Sequence, residues 1–408
     1  MKSLSCTVLC ITVLLCPALH AAETSIEVTV DAGDCDRENT PVVAVVEVPA
    51  DAVSATLVDP DGKKIPGQLT GLGVAMSLKK PSPNLRELHF ILPKLAKGKK
   101  MTLKVETSKK PPAPPVFHWK DTPGEHVDLL WGDRPVLRYM YHEYDDSDKD
   151  KRHDTFKVYH HVFSPSGERI ITKGPGGKYT HHRGLFFGYC HCTFPGGKAD
   201  TWGCGSGHQV HGEFLSDEGG PVLGRHRVAI QWRANKENKT FVKEQRELTA
   251  YNTPGGNLIE FATRVSSAGG PVKLDGNAPH AGFQFRAEQE VAEKTEKQTQ
   301  YLRPDGRGEK GQARAKAVNL PWDAISFILG DKRYTALYLD SPKNPKPAEY
   351  NERTYGRFGS YFVTELDDEK STTANYRVWI QDGEMTVEQA RVLSNDFVNP
   401  VKVEVKYK

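Results

Sequence analysis

Residues 225–265, RHRVAIQWRANKENKTFVKEQRELTAYNTPGGNLIEFATRV, decide the fold class. Three strand-length segments, 225–233, 241–248 and 258–265, follow one another with turns between them, the second turn marked by Pro254-Gly-Gly256. Runs rich in β-branched and aromatic residues, bounded by turn residues, read as strands that pair antiparallel. The pattern continues on both sides, at 135–141, 185–193, 210–215, 282–286, 324–329, 335–339, 360–364 and 375–380. One helix is predicted, over 386–395, with Thr386 as its cap and Gln389 three residues on. No repeat of roughly 20–50 residues is visible, which argues against a propeller.

Upstream, 25–106 is also strand-like. SIEVTV and VVAVVEV carry β-branched runs, Asp59-Pro-Asp-Gly62 marks a turn, and ELHFIL and MTLKVE alternate. Lys109-Lys-Pro-Pro-Ala-Pro-Pro115 then interrupts, because its prolines cannot donate ladder hydrogen bonds. The expected organisation is all-β: a signal peptide at 1–22, a small β-sandwich at 23–108, a Pro-rich linker at 109–116 and a large antiparallel β-sandwich at 117–408.

The signal is read from Lys2, the apolar run 4–15, Pro17 and the small residues Ala18, Ala21 and Ala22. That run falls short of the ~20 residues that span a bilayer, and no later stretch approaches it. The mature protein is therefore expected to be secreted or periplasmic, with no membrane span. Lys and Arg total 55 against 52 Asp and Glu, so no basic excess points to nucleic acid as a partner. Beyond the signal the cysteines are Cys35, Cys190, Cys192 and Cys204; in an oxidising compartment they suit a disulfide from Cys204 to Cys190 or Cys192. The competing reading is zinc held by Cys190, Cys192, Cys204, His208 and His211, although that spacing matches no standard structural zinc pattern.

Histidine marks the site. Twelve of the fifteen fall between His118 and His226, several times what even spacing would place there. Imidazole exchanges protons near neutral pH and ligates metals, so such a cluster is a site candidate. Within it stands Thr180-His-His-Arg-Gly-Leu-Phe-Phe-Gly-Tyr-Cys-His-Cys192, preceded by the Gly174-Pro-Gly-Gly177 loop. If a strand begins near His181, then His181, Arg183, Tyr189 and His191 share one face and His182, Cys190 and Cys192 the other.

The run HHRGLFFGY, the upstream Tyr159-His-His-Val-Phe-Ser-Pro-Ser-Gly167, the later His280-Ala-Gly-Phe-Gln-Phe-Arg286 and Arg353-Thr-Tyr-Gly356 together resemble the PmoA-like family, labelled "methane oxygenase PmoA". The resemblance spans about 117–408. It implies a secreted domain with a large β-sandwich, similar in outline to galactose-mutarotase-like sandwiches. It also implies that Tyr159, His161, His181, His182, Arg183, Trp202, His211, His280, Arg286, Arg353 and Tyr355 match the family's recurrent polar residues. The family usually has Asp-His-Pro before the paired histidines, where this chain has Lys178-Tyr-Thr180. Methane oxidation itself is rejected, since that enzyme's subunit spans a membrane many times.

The leading expectation is a carbohydrate-active enzyme. His182 and His280, with His181, exchange protons with a sugar; Arg183, Arg286, His161, Tyr159, His211, Trp202, Arg353 and Tyr355 bind it. Among Glu143, Glu213 and Glu288, Glu213 is the preferred acid, because two residues after His211 it would share that residue's strand face. The alternative is a non-catalytic polysaccharide-binding or cell-surface module with Trp202, Tyr139, Tyr141 and Tyr355 stacking on sugar rings. No cofactor is expected; the runner-up is a divalent metal on His181, His211 and His280. Convergence discriminates: an enzyme brings the histidines and arginines together, whereas a binding platform lines aromatics along an open face.

Overall fold

A computed structural model describes residues 25–76, 82, 84–236 and 238–408; the signal expected at 1–22 lies outside them. Among the described residues the chain forms four antiparallel sheets, so the all-β reading holds. The first sheet has the order Arg37–Glu47, Leu85–Leu95, Lys64–Thr70, Ser54–Val58, Lys100–Ser108, Ile26–Asp31, Lys402–Tyr407. Its strands alternate buried and partly exposed residues as IEVTVD does, and Val28, Val30, Val46, Leu57, Phe90 and Leu103 close its core. The Glu47 N–H donates to the Tyr407 hydroxyl across 2.7 Å and links the two edge strands. Lys402–Tyr407 thus pairs with Ile26–Asp31 and joins the first sheet, although it lies within the 117–408 stretch assigned to the large sandwich. Antiparallel pairing between chain ends leaves no local trace in sequence.

Two nine-stranded sheets stack to form the large unit. One contains Phe117–Thr122, His126–Trp131, Arg134–Met140, Tyr159–Val162, Leu185–Tyr189, Ala281–Arg286, Arg357–Tyr361, Glu349–Arg353 and Ala317–Val318; the other is centred on Lys239–Tyr251, Asn257–Ser267, Thr372–Asp382 and Lys332–Asp340. Aromatics from both interlock between them: the ring of Phe261 stands 4.3 Å from Phe283, and Phe283 4.7 Å from Tyr376. The strand expected over 185–193 is split at Cys190. Leu185–Tyr189 stays in the large sheet while His191–Phe194 enters a separate four-stranded sheet.

The expected helix forms as Val387–Val398, with Thr386 and Gln389 completing a capping box. Its Asp396 accepts from Arg37 at 2.9 Å and from Thr40 at 3.0 Å, tying the helix to the first sheet. Arg225 bonds Glu87 and Glu218, each at 2.7 Å, and fastens the two units together.

Candidate functional site

Neighbouring strands of the first large sheet build the floor of the site. Arg286 is in register with Arg357 and Phe285 with Phe358. Alternation sends Phe283 and Phe285 into the sandwich core, and Gln284 and Arg286 to the opposite face. On the next strand Phe187 and Tyr189 point inward while Phe186 meets Trp202, ring centroids 4.6 Å apart. Trp202 can lie this low because residue 188 is glycine. A Cβ there would stand 2.7 Å from the Thr201 carbonyl oxygen.

The paired histidines come from a turn that precedes the strand. His182 N–H donates to the Tyr179 carbonyl at 2.9 Å, Tyr179 has φ of 57°, and the strand starts only at Leu185. Left-handed backbone at a non-glycine residue is strained and found at functional sites. The strand-face expectation is therefore corrected: His181 and His182 do not point to opposite faces of a strand, and their rings stand 4.4 Å apart.

Around them the chain gathers residues from distant segments. His182 stacks 5.9 Å from Tyr355 and lies 6.1 Å from Trp202. His280 meets Trp202 edge-on at 6.5 Å, and Tyr179 stands 5.1 Å from Tyr355. Arg357, which the sequence reading missed, lies 5.7 Å over the Trp202 ring. It donates to Gln284 Oε1 at 2.9 Å, Asn351 Oδ1 at 3.1 Å and the Tyr355 hydroxyl at 3.3 Å. The available signal was alternation: Arg357 follows Tyr355 by two residues at the start of a strand. Lys157 and Lys173 were also missed. Lys157 Nζ bonds the carbonyls of His181, at 3.2 Å, and of Trp202, and lies 4.5 Å over Phe186. Lys173 Nζ bonds the carbonyls of Gly174 at 2.9 Å and His182 at 3.4 Å.

Electrostatics follow from this crowding of cations. Burial first, then Lys157 and Arg183, lower the His181 imidazole to about 3. Burial and then Arg357 hold His182 well below its ordinary value. His280 is lowered by burial, Arg357 and Arg353, though it is exposed. Burial also lowers Lys157 to about 8 and Lys173 to about 7. All three imidazoles are thus neutral near pH 7. His280 Nδ1 lies 2.8 Å from Asn277 Oδ1, so with Nδ1–H donating, Nε2 carries the free lone pair. The His181 ring has no hydrogen-bond partner among the described residues and is only half-buried.

The other expected residues lie as follows. Arg183 and Arg286 are fully buried; Arg183 donates to the carbonyls of His153 and His182, and Arg286 to those of Tyr355 and Ala287. Tyr159 and His161 sit behind the pair, the Tyr159 ring 5.6 Å from the Arg183 guanidinium and His161 Nδ1 3.1 Å from Thr172 Oγ1. Arg353 is half-buried beside His280. His211 and Glu213 do not join. They lie on Gly207–Glu218 in the second sheet, where His211 Nδ1 meets the Tyr139 hydroxyl at 3.2 Å. A bulge between His211 and Glu213 breaks the alternation, so they do not share a face as expected, and Glu213 is exposed. Tyr139 and Tyr141 pack with His211, away from Trp202 and Tyr355, so these four aromatics form no common row.

Among the described residues no three His, Cys, Asp or Glu side chains gather into a metal-binding group. The four cysteines are free thiols, which corrects the expected disulfide. Cys204 Sγ faces the Thr201 carbonyl and Cys192 Sγ the Tyr189 carbonyl, each at 3.5 Å.

No curated protein matches the chain. Among the solved structures similar to it are two at 8% identity. One is an alpha-mannosidase from Enterococcus faecalis V583, with TM-score 0.46, covering 94% of this chain and 46% of the other. The second is a protein in the glycosyl hydrolase family 38 from Enterococcus faecalis, with TM-score 0.45, covering 95% and 48%. The chain spans about half the length of these structures. No PmoA or methane oxygenase family is found, so the resemblance drawn from the four motifs is corrected. Residues 126–395, more than half of the sequence and containing the whole histidine–arginine cluster, match the family of unknown function DUF6807, and the chain belongs to that family.

Proposed function

We propose that the chain is an exported carbohydrate-active enzyme that moves protons on a sugar-derived substrate at the cluster of His181, His182 and His280. The carrying observation is that His182 meets both Trp202 and Tyr355, His280 meets Trp202 and His181 packs on His182, although these residues come from distant segments of the sequence. Exposed Tyr179, packed against Tyr355, suits the apolar face of a sugar ring, His181, His280 and Arg353 suit its polar edges, and buried Trp202 and His182 support them from beneath. Nε2 of His280 takes a proton from a carbon next to a carbonyl or carboxylate. His181, whose ring has no protein partner, holds or returns one. Arg353 and Arg357 lie where they lower the energy of negative charge developing on the substrate oxygen. This is the chemistry of epimerisation or elimination. Of the three acids named for hydrolysis, Glu213 lies on the second sheet and Glu143 is exposed, so Glu288, near Lys173 and Arg286, pairs with neither.

The test is proton exchange. A panel of sugars and oxidised sugars in deuterated water, followed by NMR, is expected to show deuterium entering one C–H position of a substrate. His280→Gln and His181→Gln are expected to lower that rate by about 10²–10⁴ with unchanged melting temperature. Full exchange in both variants, or none with any sugar, would overturn the proposal.

A further inference from the structure

Among the described residues every buried arginine outside the site has a carboxylate, Arg377 with Glu260 included. Arg37 has Asp396, Arg225 has Glu87, Arg246 has Glu244 and Arg303 has Glu352. The site breaks this pattern. Lys157, Lys173, Arg183, Arg286 and Arg357 are each at most 3% exposed, yet among the described residues none forms an ion pair. Their acceptors are neutral: backbone carbonyls, the Gln284 and Asn351 amides and the Tyr355 hydroxyl. Neutral acceptors satisfy N–H groups but leave the charge in place.

The nearby acids Asp200, Glu288, Glu293 and Asp154 offset this charge only through space, and none pairs with a buried cation. Asp200 accepts the backbone N–H groups of Trp202 at 2.9 Å and Gly203 at 2.7 Å. Glu288 accepts the Glu290 N–H at 2.7 Å, and Glu293 the Gln289 amide at 3.0 Å. Asp154 acts on Arg183 without contacting it. Buried N–H donors also remain unmatched here, namely Arg183 Nε, Arg286 Nε and Trp202 Nε1, beside the unpartnered His182 Nδ1. These N–H groups add partial positive charge that no acceptor of the described residues offsets.

We infer that the site is built for an acidic sugar, one carrying a carboxylate or phosphate oxyanion, which lies against His181, His280 and Arg353 and supplies the negative charge that the buried cations lack. The inference rests on the sugar-processing reading and names its substrate class. A low-dielectric cluster of one sign directs its field toward its exposed edge, here His181, His280 and Arg353. Burial and then these cations hold the imidazoles neutral, so an arriving anion offsets the cations and raises the basicity that proton abstraction needs. Binding and activation are then one event, and a neutral sugar achieves neither.

The test is calorimetric titration of the full chain at pH 7 and low salt with glucuronate, galacturonate, gluconate, glucose 6-phosphate, glucose and inorganic sulfate. At least one acidic sugar is expected to bind tenfold or more tightly than glucose, with affinity falling as salt rises. Arg353→Gln, at a half-buried position that tolerates the change, is expected to abolish that preference. Preference for a uronate or aldonate over glucose 6-phosphate identifies the oxyanion as carboxylate; the reverse identifies it as phosphate. Glucose binding as tightly as every acidic sugar overturns this inference while leaving the enzyme reading intact. Sulfate binding without any sugar binding supports the anion site and overturns the sugar reading. No binding of any anion overturns the inference.

Discussion

Gly188 shows how one residue shapes the site. Its missing Cβ lets the Thr201 carbonyl lie on the sheet, and Trp202 follows onto Phe186. Gly188→Ala is expected to cost about 1–3 kcal/mol in urea denaturation, because the added methyl overpacks a backbone contact. It is also expected to alter near-ultraviolet dichroism as Trp202 shifts. An unchanged spectrum with unchanged stability would show that the 200–204 segment gives way freely. At this scale the sequence was partly legible. The paired histidines and His280 stood out by composition and motif. Lys157 and Arg357 did not, because an isolated basic residue has meaning only once strand pairing has set Arg357 beside Arg286 and burial has removed its counterions. Glu213 misled for a related reason: the bulge after His211 is a property of the pairing with Leu223–Ala234 and breaks the alternation on which the choice relied.

Among the elements, the helix Val387–Val398 offers two separable contributions. Thr386 caps it locally, whereas Asp396 neutralises Arg37 on the first sheet. Thr386→Ala is expected to cost about 1 kcal/mol, the usual worth of a cap. Asp396→Ala leaves the Arg37 charge buried without its partner and is expected to cost about 3–5 kcal/mol. Chemical denaturation of both variants checks the ratio; equal losses would mean that the ion pair adds nothing beyond a cap. The cap was legible from Thr386 and Gln389, three residues apart, and the strands from alternation. Long-range pairing was not. Nothing local announces that Lys402–Tyr407 returns to Ile26–Asp31, or that the chain changes sheets at Cys190.

Across the whole molecule, buried neutral imidazoles couple stability to acidity. His160 and His226 face each other Nε2 to Nε2 at 2.9 Å, so one donates and the other accepts, and a second proton would set two donors against each other. Burial, with like-charged neighbours, holds His160 well below 6.5 and lowers His226 and His161 to about 3. Their folded values lie below the unfolded value, so the stability they contribute is fully present above pH 6.5. It is lost as pH falls toward about 3, because the unfolded chain takes up protons that the folded chain refuses. Each such group costs about 1.4 kcal/mol per pH unit within that window. Lys157 and Lys173, lowered to about 8 and about 7, extend the same sign of slope to higher pH. The melting temperature is therefore expected to fall steeply between pH 6.5 and pH 4.5 and to rise modestly from pH 7 to pH 9. Differential scanning calorimetry across this range checks it. A flat profile below 6.5 would mean that the histidines take up protons without disturbing the fold. The acidic sugar that binds most tightly should also flatten the slope above pH 7, since a bound anion stabilises the charged lysines in the folded state and returns their values toward those of the unfolded chain.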